Sequence, residues 1–167
     1  MKRTHEEMAE LLRKNLNRNE ELNQAAGAEI FDFEYLDYDE NDVLSAKCVI
    51  KDWQRNPFGN LQGGMLCYYM DATAGTLSWV TVDCEPVGTV DLKVDFIRAV
   101  PKETEYIIVK SKVISIGRRI IVTTVQVYDP DGWLMATGIA NTTRMLPPDL
   151  CCLQQTAKKA IINKRIT

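Results

Sequence analysis

The chain has one histidine, His5, in 167 residues. That scarcity excludes much. A Ser-His-Asp or Cys-His system would have no base, and zinc would have no plausible ligand set. His5 stands in a polar N-terminal stretch and reads as a solvated side chain. Cysteine is also sparse, at five: Cys48, Cys67, Cys84, Cys151 and Cys152. None are spaced as metal pairs, and an odd count with one adjacent pair makes a poor disulfide framework. A reducing, cytoplasmic setting is expected. Cys48 and Cys67 read as small core residues, and the tail pair as packing or free thiols.

There is no excess of positive charge. Twenty Lys and Arg stand against 23 Asp and Glu, for a net charge of -3. That argues against nucleic acid as a partner, because phosphate-backbone binding needs a basic face. A local basic patch for a small anion stays open. The N-terminus, Met1-Lys2-Arg3-Thr4-His5-Glu6-Glu7, has no apolar run of signal-peptide or membrane length. No targeting segment and no membrane partner are expected.

What is present is an ordinary globular composition, 46% hydrophobic and 26% charged, in a length most simply read as one core-forming domain. Residues 4–26 read as a helix. Thr4 and Glu7 form a capping-box pair, and Gly27 ends it. Strand-like alternation follows over 28–38, then a polar turn at 39–42 and a second strand over 43–51. A loop rich in Asn, Pro and Gly covers 54–62. Gly63 to Val80 is nearly uncharged, and a helix apolar all round is usually buried. It is borderline for spanning a bilayer, but Asp71 sits in its middle, so a core helix is expected. Strands are expected over 87–98, 104–116, 119–128 and 133–144. One buried helix and a run of antiparallel strands make an α+β domain, with a curved sheet wrapped on the helix. The chain divides into an N-terminal helix (1–27), a main domain (28–146) and a C-terminal tail (147–167).

The run from Asn56 to Asp71 carries the chemistry. The first N–H groups of a helix lack internal partners and carry the positive end of the macrodipole. Gly63-Gly64 at such a mouth lets a ligand oxygen approach, as an oxyanion site requires. On the glycines alone, a tight turn with no room for a side chain is the stronger account. Asp71 is different. A carboxylate in an apolar helix needs a partner or a pocket. A catalytic role and a structural pairing, for instance with Arg98, weigh evenly. Eight helical residues separate Gly63 from Asp71, a rise of about 12 Å. Donor and base must both lie about 3 Å from one reacting carbon. One straight helix cannot provide that, whereas two copies packed antiparallel across a two-fold axis can. The catalytic reading therefore requires a homodimer.

The pattern Asn56, Gly59, Gln62, Gly63, Gly64 and Asp71 resembles the hotdog-fold acyl-CoA thioesterases of the phenylacetate-pathway type. Those proteins carry Asn-x-x-Gly-x-x-His-Gly-Gly, with Asp at the tenth position counted from the His. The run from Thr89 to Phe96, the segment Phe96-Ile97-Arg98, and Gly117-Arg118-Arg119, Asp131-Gly132 and Ala136-Thr137-Gly138 match in order and spacing. The resemblance covers about 42–145. It implies a hotdog fold, an acyl-CoA substrate and no cofactor beyond the coenzyme A that the substrate carries. It implies an obligate homodimer, with a dimer of dimers left open. By resemblance, Gly63 and Gly64 would donate to the thioester carbonyl, and Asn56 would orient that carbonyl or the catalytic groups. Asp71 of the partner chain would act as general base or nucleophile, and Thr89 would hold the attacking water. Gly117, Arg118 and Arg119 would meet the coenzyme A phosphates; for Arg144 a solvated rim position is favoured. Phe58, Met65, Tyr68, Tyr69 and Trp79 would set the shape of an acyl pocket, although for Tyr68 and Tyr69 plain core packing is the stronger account.

The departure is Gln62 where the family has histidine. Gln can donate and accept hydrogen bonds but cannot carry a proton across the neutral range. Proton transfer would then fall to Asp71. Three readings follow: a thioesterase, a non-catalytic acyl-CoA binding module, and a hydratase on the same fold. The last ranks lowest, because such enzymes rely on a histidine that this helix lacks.

Overall fold

The computed structural model describes residues 4–12, 14, 33–82 and 85–145. The rest of the expected N-terminal helix, the opening of the first strand, Cys84 and the tail from 147 lie outside the described residues. Residues 5–12 form helix α1. Its start is capped as expected: Thr4 N donates to Glu7 Oε2 at 2.9 Å, and Glu7 N donates to Thr4 Oγ1 at 3.3 Å. Met8 and Leu12 pack against Leu44, Leu77 and Val80. His5 is less solvated than expected. It stacks on Tyr38 with ring centroids 5.1 Å apart, and its Nδ1 lies 3.3 Å from Asp42 Oδ1.

Six strands follow: β1 (Phe33–Tyr38), β2 (Val43–Val49), β3 (Val87–Phe96), β4 (Tyr106–Ile116), β5 (Ile120–Tyr128) and β6 (Leu134–Arg144). They form one antiparallel sheet in the order β1-β2-β4-β5-β6-β3. The long helix α2 (Gly63–Thr81) lies between β2 and β3 in the chain and carries it from one side of the sheet to the far edge. It packs against β2, β3, β4, β5 and β6. No helix among the described residues is long and apolar enough to cross a membrane.

Alternation decides which face of the sheet meets the helix. In β2 the buried residues are Leu44, Ala46 and Cys48; in β5 they are Ile121, Thr123, Val125 and Val127. Gly138 on β6 has no room for a side chain. A Cβ there would run into the backbone carbonyl of Lys93 on the neighbouring strand β3 and into the flexible methyl of Met70 on α2, so the close β3–β6 contact requires glycine.

Composition suggested a helix buried all round, and the structure differs. Leu66, Tyr69, Met70, Thr73, Ala74, Leu77, Ser78 and Val80 are buried under the sheet. The opposite stripe holds Gly64, Tyr68, Ala72, Gly75 and Trp79, which are exposed or only partly covered. One sheet layer can cover only one side of a helix, and the described residues provide no second layer.

Candidate active site

The approach to α2 is held from below. Gln54 is buried, and its side chain donates to Tyr69 Oη at 2.8 Å while its Oε1 accepts from Lys51 N at 3.0 Å. Its carbonyl accepts from Gln62 N at 2.9 Å. Thus the second helical turn, through Tyr69, fixes the residue that starts the helix. Arg55 clamps the same loop from outside, donating to the carbonyls of Gly59 at 3.3 Å, Pro101 at 3.2 Å and Thr104 at 3.0 Å. Asn56 folds the loop on itself: its Oδ1 accepts from Phe58 N at 3.0 Å and Asn60 N at 3.2 Å. Sequence reasoning singled out Asn56 but missed Gln54 and Arg55. No local motif marks those two, because the contacts that tie them to α2 and to the loop before β4 lie 15 to 49 residues away.

The helix mouth is open. Gln62 occupies the cap position in extended geometry, and its side chain makes no capping bond. Met65 N and Leu66 N turn back to the Gln62 carbonyl, but the N–H groups of Gly63 and Gly64 meet no acceptor among the described residues. Two orphan donors at the positive end of a macrodipole are an anion site in waiting. The ring of Phe96 covers one side: a Cβ on Gly63 would sit 3.3 Å from Phe96 Cζ, whereas a Cβ on Gly64 would meet nothing within 4 Å.

Two turns further on, Asp71 is half-buried, and its Oδ1 accepts from Thr89 Oγ1 at 2.7 Å. A bulge in β3 between Thr89 and Asp91 keeps Thr89 turned toward the helix. Arg98, weighed as a structural partner for Asp71, is engaged elsewhere. It donates to the carbonyl of Leu134 at 2.9 Å and lies over the Trp133 ring. Tyr68, one turn before Asp71, has its phenol pushed above the ordinary range by burial, with the Asp71 carboxylate adding to the shift. The phenol is therefore a neutral donor at any ordinary pH.

Strand β3 joins the two halves. It begins at Asp71, through Thr89, and ends at Gly63, through Phe96. Arg118 and Arg119 project from the β4–β5 turn, exposed and with no ion-pair partner among the described residues. Arg119 O accepts from Arg144 N at 3.1 Å, and Arg144 stands opposite Val87. The turn therefore lies at the Thr89 end of the sheet. Arg144 itself lies 3.4 Å from Glu85, a rim ion pair. Phe58 is 88% exposed, and nothing among the described residues brings it toward Asp71. Among the described residues no cluster of His, Cys, Asp and Glu could hold a metal ion.

An antiparallel sheet curled on one long helix, with paired glycines at the helix mouth, defines the hotdog fold. Residues 58–136 match the model of the thioesterase superfamily. That segment includes Gln62, Gly63, Gly64, Asp71 and Thr89. No curated protein matches the chain significantly. Among solved structures it is similar to a phenylacetic acid degradation-related protein from Ralstonia eutropha, with 26% identity over 72% of this chain and 89% of that one, at a TM-score of 0.61. A thioesterase from Pseudomonas aeruginosa shares the fold at 15% identity and a TM-score of 0.69, covering 77% of this chain and 91% of that one. So does zebrafish thioesterase superfamily member 2, at 20% identity and a TM-score of 0.61, covering 68% and 81%.

Proposed function

We propose that the chain is an acyl-coenzyme A thioesterase working as a homodimer, with each site built from two subunits. The observation that carries this is the Asp71–Thr89 pair, a hydrogen-bonded carboxylate on the same helix as two uncapped glycine N–H groups. The helix rise holds them about 12 Å apart. Each is half of a site. The stripe of α2 through Gly64, Tyr68, Ala72 and Gly75, only partly covered among the described residues, is where a second copy would pack.

In this reading the thioester carbonyl oxygen rests on the N–H groups of Gly63 and Gly64 of one subunit. The partner's Asp71 removes a proton from water, whose oxygen attacks the carbonyl carbon. The negative charge that develops on the carbonyl oxygen is what the helix mouth stabilises. As the tetrahedral centre collapses, the carbon–sulfur bond breaks and the proton passes from Asp71 to the departing thiolate. Free acid and coenzyme A leave. Attack by Asp71 itself would give an anhydride that water then opens, with the same products. Thr89 holds Asp71 Oδ1, so Oδ2 is the free oxygen. The oxygen of Asn56 is committed to its loop, so its role falls to the amide nitrogen. The exposed amide of Gln62 can donate a further hydrogen bond near the carbonyl, without the proton transfer a histidine would add. Arg118 and Arg119 suit the phosphates of coenzyme A.

The test is release of free thiol from a panel of short, medium and aromatic acyl-CoAs, with Asp71→Ala as control. Hydrolysis by the wild type and none by the variant, with the dimer intact, is expected. No hydrolysis above background across the panel defeats the proposal. Gln62 favours one other reading, a binding module. In that case acyl-CoA raises the melting temperature with no thiol released.

A further inference from the structure

Thr142 on β6 is fully buried, and among the described residues its Oγ1 is the one buried side-chain oxygen or nitrogen with no hydrogen-bond partner. Native interiors rarely tolerate such a group, and each one asks for a reason. Its position supplies one. Thr142 stands directly opposite Thr89 in the β3–β6 ladder, and both face α2. Opposed residues in an antiparallel pair have Cβ atoms roughly 5 Å apart, the spacing at which Thr–Thr pairs hydrogen-bond. Thr89 gives its only proton to Asp71, so its oxygen remains an acceptor.

We propose that Thr142 is a positioning residue for the reaction. In the working site a turn about its χ1 lets its hydroxyl donate to Thr89 Oγ1, completing a chain from Thr142 through Thr89 to Asp71. Each bond in such a chain polarises the next. A Thr89 hydroxyl that accepts is a stronger donor to Asp71. The chain fixes Oδ1 and holds Oδ2 toward the reacting water. Neighbouring hydroxyls do not compete for this role: Ser78 and Thr123 bond each other at 3.1 Å, and Thr73 bonds the Tyr69 carbonyl at 2.8 Å.

This rests on the thioesterase reading, and the experiment separates the two. Thr142→Val keeps the shape and removes the hydroxyl; Thr142→Ser keeps the hydroxyl. With thiol release as readout, Thr142→Val is expected to lower kcat roughly tenfold at unchanged KM, as loss of an orienting partner does. Its melting temperature should hold or rise, since an unpaired buried hydroxyl has gone. Thr142→Ser should retain the wild-type rate. In a Thr89→Ala background, Thr142→Val should add no further loss, and this holds as a check if the single variant is poorly folded. An active wild type with an unaltered Thr142→Val rate, a Thr142→Ser as slow as the valine variant, or fully additive losses with Thr89→Ala would each overturn the inference alone. A wild type with no turnover overturns the thioesterase reading and this inference together.

Discussion

The mouth of α2 and the turn that carries Asp71 belong to one helix but work by opposite means. At the mouth the useful groups are backbone N–H donors, and side chains matter by being absent: Gly63 leaves room for the Phe96 ring, and Gln62 leaves the cap open. At Asp71 the useful group is a side chain, kept in an otherwise apolar helix by one 2.7 Å hydrogen bond from β3. The mouth is held by a web of loop contacts through Gln54, Arg55 and Asn56. The carboxylate hangs on a single strand. Adding atoms should therefore damage the first, and removing them the second.

The largest expected effect is at Asp71. Asp71→Asn keeps the shape and removes the base; thiol release should fall by roughly 10²–10⁴ in kcat, with a dimer still seen by sedimentation. Residual activity within a few-fold of wild type would mean the carboxylate only binds. The next tests compare the two glycines. Gly63→Ala pushes on the Phe96 ring, so kcat should fall by roughly 10–100-fold, part of what a lost oxyanion donor costs. Gly64→Ala meets open space in one chain. If a partner subunit or the ligand packs there, it should lose activity or dimer stability as well. A wild-type Gly64→Ala would show that the mouth is not covered. A smaller effect is expected from Arg118→Ala with Arg119→Ala: a few-fold rise in KM for acyl-CoA at unchanged kcat, weakening further with salt as exposed charge pairs do. The smallest is Gln62→His. It should change the rate little at pH 8 but introduce a titration near pH 6.5, where free imidazole ionises. No new limb would place position 62 away from the reacting atoms.

Much of this was legible in the chain. Apolar alternation predicted every described strand to within a few residues. Gly63 marked the start of α2, because glycines followed by an uncharged run can only begin a buried helix after such a loop. Asp71 and Thr89 were both singled out, though their mutual hydrogen bond was not foreseen. Eighteen residues and an edge strand separate them, and no local rule predicts that contact. Gln54 and Thr142 could not be found at all. A lone Gln in a loop and a Thr in a strand are common; burial alone makes them unusual, and burial depends on what the sheet brings together. Composition also misled in one respect. An uncharged α2 implied cover on every side, yet among the described residues one sheet leaves a stripe only partly covered.

By itself the sequence determined the elements, their alternation and the placing of Gly63, Gly64 and Asp71 along α2, because those depend on periodicity and on residue types within a few positions. Only the tertiary structure decided that Asp71 pairs with Thr89 rather than Arg98, that Phe96 covers Gly63, and that Thr142 lies buried beside Thr89. Those facts depend on β3 crossing to the far edge of the sheet and pairing with β6 in a register shifted by one bulge. Register couples residues about fifty positions apart, and a one-residue slip would turn each of these side chains to the other face.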